Sequence, residues 1–141
     1  MVTPREAADG FGDAYNAHDL AKMRGYLRSD VVFVVPDAGE LKGPDQVLEY
    51  MKGFFEAFPD AKLEPVASYE AGTTTIDEWI FRGTHTGPLG LPNGETLAPT
   101  GKRVSVPGID LETFDEEGRV ILDRAYFDQL DFLTQLGALP G

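Results

Sequence analysis

The apolar residues of this chain change their spacing near residue 60, and this change limits the folds open to it. Before that point, apart from the β-branched run Val31–Val35, they recur every three to four residues, as on the buried face of an α-helix. After it, β-branched and aromatic residues occur in short runs separated by turn residues, which is typical of strands. Helices first and consecutive strands second predict an α+β fold, with the helices on one face of an antiparallel sheet.

Three amphipathic helices are predicted in the first part of the chain. The first begins at the capping box formed by Thr3 and Glu6, with proline at its first helical position, and runs to about Asn16. A second, short helix follows after a turn. The third begins at Gly43, and its apolar residues keep helical spacing as far as Phe58.

Five strands are predicted, each bounded by turn residues. They are expected at about Val31–Val35, Leu63–Glu70, Thr73–His85, Lys102–Phe114 and Arg119–Phe127. Residues 37–42 are predicted to form a loop. The longer segment 86–101 is rich in glycine and proline and is expected to cap a pocket or a dimer seam. No repeat or linker divides the 141 residues, so residues 1–141 are expected to form one domain.

The composition disfavours several classes of function. The chain has 24 acidic and 12 basic residues, a net charge of −12, which disfavours nucleic acid, anionic membranes and strongly anionic ligands. It has no cysteine, and its two histidines, His18 and His85, are widely separated, so thiol chemistry is excluded and no metal site is expected. The first residues do not resemble a signal peptide, and a cytoplasmic protein is expected.

Five short motifs, spread over most of the chain, resemble those of one family. They are Ala14–Asn16, Arg82–Gly87, Pro99–Val104, Tyr126–Leu130 and Leu133–Gly137. On these motifs and on the order of its helices and strands, the sequence resembles the SnoaL-like polyketide cyclases of the nuclear transport factor 2-like superfamily. That superfamily includes cyclases, isomerases, dehydratases, hydrolases and binding proteins, so the resemblance indicates a fold more specifically than a reaction.

The resemblance implies a cone-shaped α+β fold, in which three N-terminal helices pack on the concave face of a curved antiparallel sheet and a short helix follows the last strand. It also implies a homodimer and a deep apolar pocket that binds a hydrophobic small molecule without a cofactor. The cyclases close a ring by an intramolecular aldol reaction, in which a carboxylate moves the protons. The position that matches this carboxylate is Ala125, and the position that matches a family histidine is Asp110.

Acidic residues on the last two strands are the candidates for proton transfer. Because side chains alternate across a strand, Asp123, Ala125 and Phe127 share one face of the last strand, and Asp110 and Glu112 share one face of the strand before it. If these faces line the pocket, desolvation raises the pKa of the acids and makes Asp110 and Asp123 a general acid and base. The alternative is that the acids are solvated or paired with arginine.

His85 is the remaining catalytic candidate, because histidine is readily tuned for proton transfer near neutral pH. A structural role, with the ring hydrogen-bonded to nearby backbone, is the alternative. The other residues predicted to contact a ligand are Tyr15, Phe33, Met51, Phe55, Trp79, Glu112, Ala125 and Phe127. Aromatic and methionine side chains at these spacings are also typical of a hydrophobic core.

Two hypotheses for function follow. The first is a cofactor-independent acid–base enzyme, of aldol cyclase, isomerase or hydrolase type, that acts on a hydrophobic carbonyl-bearing small molecule such as a polyketide. The second is a non-catalytic small-molecule-binding or accessory protein. The acids favour the first and Ala125 favours the second. Proton relay requires the carboxyl groups of Asp110 and Asp123 to lie within about 3 Å of each other or of one shared water.

The opposite face of the last two strands carries another apolar row. Its members are Ile109, Leu111, Leu122 and Tyr126. Exposed apolar rows of this size usually bind something, so this face is predicted to form the interface of the homodimer.

Overall fold

The computed structural model describes residues 2–138. Its helices are α1 (Pro4–Asn16), α2 (Leu20–Arg24), α3 (Gly43–Ala57) and α4 (Gln129–Leu136). Its strands are β1 (Leu27–Val35), β2 (Gly39–Lys42), β3 (Lys62–Ala71), β4 (Thr74–Thr84), β5 (Leu89–Gly90), β6 (Thr96–Leu97), β7 (Arg103–Phe114) and β8 (Val120–Phe127). This order confirms the predicted α+β class. No helix within the described range is both long and apolar enough to cross a membrane.

Six strands form one curved sheet, in the order β2–β1–β8–β7–β4–β3, and β5 and β6 form a separate small hairpin. Neighbouring strands of the large sheet are antiparallel except β1 and β8, which are parallel. The sheet was expected to be antiparallel throughout. The parallel pair arises because α3 and six further strands separate β1 from β8 in the chain, and a crossover of that length permits parallel pairing.

The first strand and the loop after it differ from the prediction. β1 begins four residues before the β-branched run, because Leu27 pairs with Val120 beyond an irregularity in the β1–β8 ladder. Residues 37–42 are only in part a loop, since Gly39–Lys42 form the edge strand β2, which pairs with the end of β1. Only one residue of this strand is even partly buried, and so short and polar an edge strand has no apolar pattern to reveal it.

The helix boundaries follow the capping residues that the sequence contains. The Thr3 side chain accepts a hydrogen bond from the backbone N–H of Glu6, as the predicted capping box requires. Asp128 accepts from the backbone N–H of Asp131 and caps α4. That helix ends at Gly137, whose φ of 71° is a left-handed conformation that glycine adopts without strain.

The end of α1 is fixed to the start of β3 by side chains that bond to backbone. The Asn16 amide accepts from the N–H of Leu63 and donates to its carbonyl, at 2.8 and 3.1 Å. His18 was expected at the surface, but its ring is partly buried, stacks on Phe55 and lies 2.8 Å from the carbonyl oxygen of Ala61. These contacts hold the helical layer at a fixed place on the sheet.

The segment 86–101 packs on the end of α3 through an apolar contact. Leu89 in β5 is buried in the same cluster as Phe58, which is fully buried. Gly87 approaches α3 so closely that a Cβ there would lie 1.9 Å from the carbonyl oxygen of Glu56. All of this segment is described, and none of its residues lines the cavity described below. The lining therefore does not support a cap on the pocket, and the alternative, a cap on a dimer seam, stays a prediction.

Candidate active site

A cavity of about 470 Å³ lies between α1, α3 and the sheet face that these helices cover. Aromatic side chains from both layers form much of its wall. They are Phe11, Tyr15, Phe33, Tyr50, Phe54, Trp79, Phe81, Phe127 and Phe132. A cavity of this size with mostly apolar walls and a few polar groups is typical of a small-molecule site.

Seven acidic residues line the cavity, and the strand register brings four of them together. In the β4–β7 ladder Asp77 lies opposite Asp110, and in the β7–β8 ladder Glu112 lies opposite Asp123. Because every second residue of a strand points to the same face, all four carboxyl groups lie on the cavity side of the sheet. Glu112 and Asp123 are each only 4% exposed.

Asp110 and Asp123 lie on neighbouring strands, and each affects the pKa of the other. Burial raises the pKa of Asp110 to about 6, while the interaction with Asp123 and the indole N–H of Trp79, 3.2 Å from Oδ1, act to lower it. Burial also raises the pKa of Asp123, and the neighbouring charges of Asp110 and Glu112 raise it further. The ionised form is therefore disfavoured at both positions.

Glu112 is buried beside this pair, yet its Oε2 has no hydrogen-bond partner among residues 2–138. Burial is the largest cause that raises its pKa, followed by the charges of Asp110 and Asp77. A buried polar oxygen without a partner costs free energy, so its presence on a cavity wall is informative.

Asp77 connects the acid cluster to α1. The guanidinium group of Arg5 donates to Asp77 at 2.8 Å, to Glu70 at 2.8 Å and to Asp9 at 3.2 Å. These bonds neutralise Asp77 and hold the first turn of the helix against the sheet.

Asp77, Asp110 and Glu112 each offer a carboxylate oxygen within 4.8 Å of the others, a spacing that could hold one cation. The expectation of no metal site rested on histidine and cysteine alone and did not consider these three acids. Arg5 already supplies a positive charge to Asp77, which weakens the attraction of this group for a metal ion.

A second polar pair lies on the helical side of the cavity. The hydroxyl group of Tyr50 in α3 donates to Asp37 at 2.8 Å. Burial raises the pKa of Tyr50, of Asp37 and of Tyr15, so both phenols are neutral at physiological pH. The hydroxyl groups of Tyr15 and Tyr50 therefore add hydrogen-bonding groups to the aromatic wall on the helical side of the cavity.

The structure brings most of the predicted site residues to this one cavity. Those that line it are Asp110, Asp123, Glu112, Tyr15, Phe33, Met51, Trp79, Ala125 and Phe127. Ala125 lies directly opposite Asp110 in the β7–β8 ladder, so the carboxyl group of Asp110 is on the strand next to the position where the family resemblance places an acid.

Two predicted residues, His85 and Phe55, are not among the described residues that line the cavity. His85 is fully buried, packs against Phe58, and its Nδ1 accepts from the backbone N–H of Thr100. These contacts favour the structural alternative for His85, and burial lowers its pKa. The ring of Phe55 is turned toward Tyr15 and stacks on His18.

Several cavity residues were missed by the sequence reasoning. Phe54, next to Phe55 in α3, faces the cavity in its place, and Tyr50, four residues earlier, lies on the same side of the helix. Strand alternation would have found Asp77, which is two residues before Trp79 in β4. The contact with Arg5, 72 residues away in the chain, had no sequence signal.

Comparison with known proteins gives one family and one fold. Residues 5–136 match the family described as SnoaL-like polyketide cyclase. A search of curated proteins found no match to the sequence.

Solved structures with this fold include proteins from several bacteria. A protein of Jannaschia sp. CCS1, described as a proposed SnoaL-like polyketide cyclase, is 23% identical, with a TM-score of 0.84 over 97% of this chain and 93% of that chain. IdmH of Streptomyces antibioticus, a proposed polyketide cyclase, is 22% identical, with a TM-score of 0.79 over 96% and 99%. AclR of Streptomyces galilaeus, a proposed hydroxylase, is 24% identical, with a TM-score of 0.79 over 98% and 87%. At these identities the likeness shows a shared nuclear transport factor 2-like fold.

Proposed function

We propose, from the premise that this chain belongs to the SnoaL-like polyketide cyclase family, that it is a cofactor-independent acid–base enzyme. Its substrate would be a hydrophobic small molecule with an enolisable carbonyl group, of the polyketide type that the family description names. The observation that carries this proposal is the pair of neighbouring acids, Asp110 and Asp123, in the wall of an aromatic cavity, where burial raises the pKa of both.

The pair divides the two roles that enolisation needs. With a pKa of about 6, Asp110 is mostly a carboxylate at neutral pH and can accept a proton from the carbon next to a carbonyl group. Asp123, whose pKa is raised by burial and by neighbouring charge, keeps its proton and can donate a hydrogen bond to the carbonyl oxygen as negative charge develops there. Two acids whose environments separate their pKa values are a recurrent basis for assigning base and acid.

The steps balance without a cofactor. The C–H bond breaks, its proton moves to Asp110, and the enolate oxygen is stabilised by Asp123. In an isomerisation, Asp110 returns the proton to another carbon. In an aldol cyclisation, the enolate carbon bonds to a second carbonyl carbon of the same molecule, and the new alkoxide takes the proton from Asp110. The aromatic wall favours compact, folded conformations of an apolar substrate, in which such a second carbonyl group is near.

A binding protein is the second candidate, and one observation favours it. Ala125 occupies the position of the family carboxylate, so the proton-transfer group of the cyclases is missing there. Asp110 lies directly opposite Ala125 in the β7–β8 ladder, and residues paired in this way have Cβ atoms about 4.5–5.5 Å apart. We therefore favour the enzyme, with Asp110 in the role of the missing acid.

Hydrogen–deuterium exchange tests the proposal. A panel of hydrophobic ketones and 1,3-diketones is incubated in D₂O with and without the protein, and loss of the α-proton signal is followed by NMR. We expect catalysed exchange of at least one member, with a rate that rises as pH increases through about 6, where Asp110 ionises.

Carbon-13 NMR of the carboxyl groups provides the independent measurement. Asp110 and Asp123 should titrate well above the unperturbed aspartate value of about 4. Ordinary titration of both, or a ligand that binds tightly while no panel member exchanges, would leave the binding protein as the better description.

We also propose that two copies of the chain pair through the row Ile109, Leu111, Leu122 and Tyr126. Tyr126 is 55% exposed, which is unusual for so large a side chain in the middle of a sheet. Sedimentation at micromolar concentration should give twice the 15.4 kDa of one chain. Tyr126→Arg should shift the mass toward one chain, whereas Leu130→Arg, at an exposed apolar residue of α4, should not. A wild-type monomer contradicts the proposal.

A further inference from the structure

Glu112 is a buried acid of the cavity that has an unpartnered oxygen. By contrast, Asp77 is bound by Arg5, and Asp110 accepts from the indole N–H of Trp79. The Oε2 atom of Glu112 is buried on the cavity wall with no partner among residues 2–138. Native proteins rarely leave such an atom unsatisfied, so a group that is absent from the protein itself should complete it.

The residue next to Glu112 in the sheet points to a donor as the missing group. Asp123, also buried on the cavity wall, lies directly opposite Glu112 in the β7–β8 ladder, and its Oδ1 also has no partner within the described range. Carboxylate oxygens accept hydrogen bonds. An ammonium group supplies three donors and no acceptor, which suits such a set of acceptors.

The charge of the cavity favours a cation as well. Besides Glu112, the acids that line the cavity include Asp77, Asp110 and Asp123. Arg5 is the only lysine or arginine among the described residues that line it. The guanidinium group of Arg5 is already engaged by three carboxylates. A ligand carboxylate or phosphate would therefore meet repulsion, and a cation would meet attraction.

Aromatic rings form the rest of the wall and are compatible with a positive charge. The faces of tryptophan, tyrosine and phenylalanine attract ammonium groups, most strongly where water is excluded. Trp79 and Phe127 lie on either side of β7, whose Gly108 pairs with both. A Cβ at Gly108 would lie 2.3 Å from the indole ring, so glycine is what allows Trp79 to lie close over this strand.

We propose that the ligand of this cavity carries a protonated amine, and that Glu112 is the carboxylate that binds it. This inference rests on the proposed function, because it names the chemical class of the molecule on which Asp110 and Asp123 act: a hydrophobic carbonyl compound with a basic nitrogen. Glu112 lies opposite Asp123 in the sheet, so the nitrogen would be bound beside the reacting atoms.

Proton release is the signature of this binding mode. Burial and neighbouring acids raise the pKa of Glu112, which favours its protonated form in the empty cavity. A bound ammonium group favours the ionised form, and Glu112 then loses its proton to the solvent. Affinity for the amine should rise with pH until the amine itself loses its charge.

A matched pair of probes tests the inference by titration calorimetry. The probes are 2-naphthylmethylamine and 2-naphthylmethanol, which differ only in ammonium versus hydroxyl. At pH 7 the amine should bind at least about tenfold more tightly, the lower end for a charge-assisted hydrogen bond. Titrations in buffers of different ionisation enthalpy should show roughly one proton released per amine bound and none per alcohol.

Two variants make the test specific. Glu112→Gln keeps the shape of the neutral side chain, and should reduce the preference for the amine to about twofold or less and abolish proton release. Glu116→Gln makes the same chemical change at an exposed turn residue outside the cavity and should keep both. Equal affinity for the two probes, binding by neither, or an amine preference that survives Glu112→Gln overturns the inference.

Failure of this inference can be told apart from failure of the proposed function. Catalysed exchange of neutral ketones without an amine preference would remove the ammonium site and leave the enzyme. An amine preference that depends on Glu112, in a protein that exchanges no ketone, would retain the site and leave a protein that binds amines without turning them over.

Discussion

Replacing Asp110 by asparagine should slow α-proton exchange of a responsive ketone by about 10²–10⁴-fold, the usual contribution of a positioned general base. An amide oxygen can still accept the hydrogen bond that Trp79 now donates to Oδ1, so the cavity should keep its shape. What the amide cannot do is accept a proton from carbon. The measurement is the initial exchange rate at pH 7, followed by NMR at equal protein concentration.

Two further variants test whether the loss of exchange rate in Asp110→Asn depends on where the carboxylate lies. Asp45→Asn changes an exposed aspartate of α3 whose partner is Arg24, and should alter the rate less than about twofold. Adding Ala125→Asp to Asp110→Asn moves the carboxylate across the ladder to the paired position and should recover part of the rate. An unchanged rate in Asp110→Asn would exclude Asp110 as the base.

The second large effect concerns stability, which we expect to fall as pH rises from about 4 to 8. Asp110 has a pKa of about 6 in the folded protein against a reference value of 3.8, so the folded state holds more protons than the unfolded state between these values. Stability then decreases with pH. At 1.36 kcal/mol per pKa unit, the free energy of unfolding should drop by roughly 3 kcal/mol from this group alone. Glu112 and Asp123, also with raised pKa, act in the same direction.

Chemical denaturation at a series of pH values, in wild type and in Asp110→Asn/Asp123→Asn, isolates this effect. His85 opposes it, because burial lowers its pKa and its contribution to stability is lost as pH falls below about 6.5. Asp30 and Asp60, with lowered pKa, lose their contribution only at still lower pH. These groups are common to both proteins and cancel in the difference. If the free energy of unfolding changed with pH in the same way in both proteins, Asp110 and Asp123 would be solvated.

Residues with a periodic pattern or a local cap were the ones that could be predicted from sequence. The apolar stripe of α3 and the cap at Asp128 follow from the sequence. So does the alternation of β7 and β8, which puts Asp110, Glu112 and Asp123 on one face of the sheet. Such signals are local, because a helix or strand places its side chains by its own geometry.

The remaining features depend on contacts between distant parts of the chain. Whether Phe54 or Phe55 faces the cavity depends on the rotation of α3 against the sheet, and the two are adjacent at the edge of the same stripe. The Arg5–Asp77 contact joins a helix and a strand 72 residues apart. His85 is at the end of a strand, where the segment 86–101 covers it, and its sequence alone gave no sign of that cover.

The single parallel pairing in the sheet has a consequence for how the protein is made. β8 is the last strand of the sheet to be synthesised, and it lies between β1 and β7. Until β8 emerges, no strand joins the β1–β2 hairpin to the group formed by β3, β4 and β7. One edge of β1 and one edge of β7, both interior in the finished sheet, then stay unpaired. Such edges favour association with other chains. Asp123, which lies between Phe33 and Glu112, joins the two halves, so Asp110 and Asp123 can come together only in the final stage of folding.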